Sequence, residues 1–101
     1  MQFSVIGLDG TDESALSRRM AAREAHLKLA DAMHQEKRLL YAVALLDDSG
    51  QMMGSIMVVD FPTREDLDDW LRLEPYMVGK VWEKLEIRPC RVGPTFAQLD
   101  R

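Results

Sequence analysis

The 101 residues are 47% apolar and 30% charged, with a formal net charge of −4, a composition that folds around a core. Acidic and basic residues are interspersed, so no concentrated basic field exists to track a phosphate backbone, which sets nucleic acid aside as a partner. The longest apolar run, Leu39 to Leu46, is less than half of what a membrane-spanning helix needs, and no basic-then-apolar leader opens the chain; with Cys90 as the single cysteine, one cytoplasmic domain over residues 1–101 is expected, with no membrane partner.

FSVIGL at residues 3–8 is rich in strand formers, and the Asp-Gly of LDGTD after it signals a turn. From Asp12 to Glu36 no glycine or proline intervenes, and Thr11 or Asp12 can cap the free amides of a long helix. RLLYAVALLDD (38–48) and SIMVVDF (55–61) then read as strands joined by a glycine-containing loop, a hairpin. In FPTREDLDDWL, Thr63 caps a second helix with Asp66 three residues on, and Leu67, Trp70 and Leu71 form its buried stripe. Pro75 suits the first turn of a brief helical piece ending at Gly79. VWEKLEIRPCRV alternates, Leu85 and Ile87 inward and Glu86 and Arg88 outward, as an edge strand up to Pro89.

The order βαββαβ predicts an α+β, ferredoxin-like fold: a four-stranded antiparallel sheet with helices on one face. Both alternating sets of the second strand, Tyr41/Val43/Leu45 and Leu40/Ala42/Ala44, are apolar. The face without helices therefore needs cover, and an isologous homodimer through that face is the simplest source.

At about 100° per residue, Ser17, Glu24, Lys28, Asp31 and Gln35 of the first helix face water. Ala22, Leu29, Ala30 and Met33 lie opposite, with His26 among them and Arg19 and Arg23 flanking. Two readings of His26 stand: a core histidine satisfied by a strand carbonyl, or a general acid/base in a cavity between helix and sheet, which would need an acid to orient it.

REAHL at 23–27, Gly54-Ser55 in the hairpin and EPY at 74–76 together resemble the YciI-related (YCII) family, over nearly the whole chain. The resemblance implies a dimeric α+β barrel and a pocket centred on a histidine and an aspartate. Carried onto this sequence, His26 is the histidine and Glu74 takes the aspartate's place as its catalytic partner, its carboxylate one methylene further out. Arg23, Ser55 and Tyr76 become substrate contacts. Ala44-Leu45 stands where the family tends to have Gly-Pro. Each residue keeps a structural alternative: Glu74 as a helix start, Ser55 as a small residue beside Gly54, Tyr76 as an amphipathic core residue, and Arg23 as an ion-pair partner of Asp31 or Glu74.

His26 and His34 lie about 12 Å apart along the helix axis and cannot share a metal ion. No zinc spacing or phosphate-cradling glycine loop occurs, so neither metal nor cofactor is expected. Cys90 lacks a nearby activating base, and Met20, Met33, Met52, Met53, Met57 and Met77 read as core filler. The reading with the resemblance behind it is a small-molecule enzyme, isomerase- or lyase-type, moving protons on a small cyclic or aromatic compound. A non-catalytic metabolite-binding or accessory dimer is the alternative, and a cofactor-independent monooxygenase, by fold analogy, the third.

Overall fold

The computed structural model describes residues 1–100. Strand β1 (Gln2–Asp9) leads into helix α1 (Ala15–Gln35), then strands β2 (Leu39–Leu46) and β3 (Met52–Asp60), helices α2 (Arg64–Leu73) and α3 (Pro75–Val78), strand β4 (Trp82–Cys90) and a 3-10 helix at Pro94–Asp100. The strands form one antiparallel sheet in the order β2-β3-β1-β4. This is the ferredoxin-like α+β arrangement, with β2 and β4 as its edges. No helix among the described residues is long and apolar enough to cross a membrane.

Period-two alternation sorts β1 cleanly, with Phe3, Val5 and Gly7 buried under the helices and Ser4, Ile6 and Leu8 on the opposite face. Phe3, Val5, Met57 and Val59 of the sheet pack in one cluster with Leu67, Trp70 and Leu71 of α2 and Met33 of α1. Leu67 is wholly buried, which is worth about 2 kcal/mol relative to exposure in water. Met20 and Met53, expected in this core, are instead exposed.

Two boundaries differ from the sequence expectation. The helix begins at Ala15, with Ser14 at its N-cap and no side-chain cap. Neither Thr11 nor Asp12 caps it, because Asp12 is engaged elsewhere: its carboxylate takes both terminal nitrogens of Arg18, at 2.8 and 2.6 Å, and the Ser14 N–H. Strand β3 starts three residues earlier than Ser55, since Met52 and Gly54 pair with Leu46 and Leu45. The turn closes within residues 47–51, where Asp47 Oδ1 accepts from the backbone of Ser49 and Gln51 and from the Ser49 hydroxyl. Gly50 there has φ +87°, a left-handed conformation that costs glycine little. Helix α2 does carry the expected cap, Thr63 Oγ1 accepting from Asp66 N at 3.1 Å.

Strand β4 keeps Leu85 and Ile87 beside Gly7 and Val5 on the helix face. Between Leu8 and Asp9 the register shifts: Lys84 pairs with Leu8, Trp82 with Asp9. The extra residue, Glu83, is a β-bulge that returns the Trp82 indole to the helix face.

Candidate active site

The buried stripe of α1 runs Ala15, Arg19, His26, Met33. It includes two polar side chains, and both meet partners brought by distant segments. His26 is 7% exposed, and its Nδ1 pairs with Oε1 of Glu74, which is 1% exposed. The same oxygen accepts the Tyr76 N–H at 3.2 Å, so it is an acceptor and His26 Nδ1 is the donor. Glu74 thus caps α3 and orients the imidazole at once. Nε2 is left without a protein partner among the described residues and is not sealed from solvent.

Tyr76 stacks on His26, ring centroids 3.8 Å apart and planes within 11°. The Arg19 guanidinium carbon lies over the same ring, 4.7 Å from the Tyr76 centroid. Beyond Arg19 stands Asp9, its two oxygens 3.0 and 3.1 Å from Nη1. Burial raises the Asp9 carboxyl above the usual aspartate range against the opposing pull of Arg19. Burial likewise raises the Tyr76 phenol, Arg19 and Arg23 acting against it, so its hydroxyl keeps its proton at neutral pH. Arg19 Nη2 and Trp82 Nε1 both reach Ser55 Oγ, at 3.0 and 3.3 Å.

A cavity of about 220 Å³ opens between α1 and the β2–β3 side of the sheet, lined by His26, Ser55, Tyr76, Arg19, Arg23 and Met57 among others. It opens there because Ala42 and Ala44, on the helix face of β2, are left uncovered. The five residues singled out from the sequence thus all border it or, in the case of Glu74, hold a residue that does. Arg23 sits exposed at the rim and forms no ion pair with Asp31 or Glu74. His34 donates Nδ1–H to the Leu39 carbonyl at 2.7 Å, tying the end of α1 to β2. No cluster of three or more metal-ligating side chains occurs among the described residues. Cys90 is exposed, and partial desolvation raises its thiol.

The model of the YCII-related domain matches residues 1–91. The chain belongs to the YCII-related family. It is similar to Protein YciI of Escherichia coli O6:H1, 28% identical over 97 residues covering 90% of this chain and 97% of that one. An uncharacterized protein of Haemophilus influenzae is 27% identical over 84 residues, covering 77% and 86%. Among solved structures, the fold matches 5-chloro-2-hydroxyhydroquinone dehydrochlorinase (TftG) of Burkholderia phenoliruptrix AC1100, in complex with 2,5-dihydroxybenzoquinone, with a TM-score of 0.78 and 15% identity over 94% of this chain and 98% of that one.

In this YCII-related chain three residues of the site escaped sequence reasoning. Arg19 shares the helix face of His26 and was visible only as a flanking charge. Asp9 lies in the Asp-Gly signal of a turn, and Trp82 reaches the site through a bulge that strand alternation does not announce.

Proposed function

We propose that this YCII-related chain is a small-molecule enzyme that moves a proton on a cyclic or aromatic compound, in isomerase- or lyase-type chemistry. What carries the reading is the imidazole of His26, which lines the cavity and is held on Nδ1 by a buried carboxylate while Nε2 has no protein partner among the described residues. A histidine so fixed in one tautomer is equipped as a general acid/base. Glu74 orients it and stabilises the imidazolium formed when Nε2 takes a proton. Arg23 at the rim holds an anionic oxygen of the substrate, and Ser55 and Tyr76 contact the ring. The size of the cavity supports a one-ring ligand, since about 150 Å³ of apolar cavity is enough for benzene. The neighbour TftG, by its description, acts on a compound of that size.

A panel of lactones, quinols and keto acids tests the proposal, with His26→Ala as the control. Turnover of at least one class is expected, falling by about 10³ in the variant. Turnover that survives the substitution unchanged removes His26 from the mechanism.

We also propose that the protein works as a homodimer joined through the sheet face opposite the helices. Tyr41 and Val43 on that face are 62% and 42% exposed, and Ile6, Ile56 and Val58 beside them are only half covered. Charged substitution on such a face breaks an isologous contact twice over. Light scattering on Val43→Glu should therefore give a monomer where the wild type gives a dimer; a monomeric wild type at micromolar concentration would refute the assembly.

A further inference from the structure

Ser55 lies on β3, 4% exposed, and lines the cavity. Its Oγ receives Nη2 of Arg19 at 3.0 Å and Nε1 of Trp82 at 3.3 Å. Guanidinium and indole nitrogens only donate, so the serine oxygen accepts from both. A hydroxyl has two lone pairs and one hydrogen. With both lone pairs taken, its remaining capacity is to donate, along the tetrahedral direction that avoids both neighbours. No protein acceptor for that hydrogen stands within reach among the described residues.

The two donors are themselves held in place. Asp9 grips the Arg19 guanidinium through both its oxygens. The indole fills the space above Gly7, where a Cβ would come within 2.5 Å of the Trp82 ring. For Ser55 to turn and accept from a ligand, it would have to give up one of two buried hydrogen bonds, leaving a donor unsatisfied.

We infer that Ser55 presents a fixed O–H donor to the cavity, so that the site takes its ligand through a carbonyl or enolate oxygen, with Arg19 and Trp82 setting that preference. The inference rests on the cavity being a substrate site, as proposed above, and narrows what enters it. His26 has the opposite polarity, offering the lone pair of Nε2. A ligand that satisfies both brings an acceptor oxygen to Ser55 and an acidic hydrogen to Nε2, which describes an enolisable single-ring ketone. On such a ligand the proton transfer balances within the site: the C–H bond breaks, the proton passes to Nε2, the electron pair moves into the carbonyl, and the enolate oxygen that forms meets a donor already aimed at it.

Calorimetric titration with two single-ring monoanions tests this without any turnover. One is 1,3-cyclohexanedione, an enolate near neutral pH with a second oxygen elsewhere on the ring for Ser55; the other is cyclohexanecarboxylate, which has no acceptor oxygen beyond the anionic group that Arg23 at the rim takes. Ser55→Ala should weaken the dione about tenfold and leave the carboxylate unchanged, and Ser55→Thr should restore the dione. Trp82→Phe frees one lone pair of Ser55 and should cost the dione about threefold. Equal losses for both ligands in Ser55→Ala, no loss for either, a Ser55→Thr variant as weak as Ser55→Ala, or no binding of the dione to the wild type would each overturn the inference. Because only binding is read, turnover that survives in His26→Ala would count against the acid/base assignment alone.

Discussion

At one end of the helix-covered sheet face, Phe3, Val5 and Val59 meet Leu67, Trp70 and Leu71 with no charged side chain among them. At the other, where β1 finishes, the same two layers enclose Asp9, Arg19, Ser55, His26 and Glu74. Both ends are buried between the same layers, yet they are stabilised differently. Apolar burial is non-directional, and each side chain contributes by its own area. A buried ion pair gains little over an apolar pair of the same shape, and each member becomes costly once the other is gone. The polar end is thus ordered by mutual dependence, and stability alone does not explain it.

Arg19→Met is the harshest way to probe that difference. It strands the Asp9 carboxylate, whose side chain is 4% exposed, and should cost about 4 kcal/mol in urea unfolding. Adding Asp9→Asn should recover most of that loss; failure to recover would show that Arg19 acts by packing and not by charge. Leu67→Ala at the apolar end comes next, at about 3 kcal/mol, with no second substitution expected to rescue it. Smallest is Asp12→Asn, on the exposed pair with Arg18. Hydrogen bonding from Arg18 holds the Asp12 carboxyl well below the usual range, so its contribution is present above about pH 4 and is lost as pH falls. The stability difference between wild type and this variant should be measurable at pH 7, shrink in high salt, and vanish in strong acid.

The apolar end was readable in advance because it obeys simple periods. Alternation in 3–8 and the Leu67/Trp70/Leu71 stripe locate the strands, helices and topology, and the wheel of α1 turns His26 inward without any knowledge of its partner. Local punctuation misleads where it competes with pairing: Gly54-Ser55 resembles the start of a strand, but β2 continues the ladder to Met52. The polar end was legible only in pieces. His26 and Glu74 are 48 residues apart, a separation that no periodicity spans, and Glu74 came into view through family resemblance. Asp9 and Trp82 had no signal at all, since a turn residue and a bulged strand give no hint of which face they end on.

Were the β4 ladder to run on without its bulge, Glu83 would pair with Asp9, and strict alternation would swing the Trp82 indole to the opposite side of the sheet. Ser55 would lose one of its two donors without being touched. In this fold, the register of an edge strand is as much a part of the ligand's recognition as any side chain that lines the hollow.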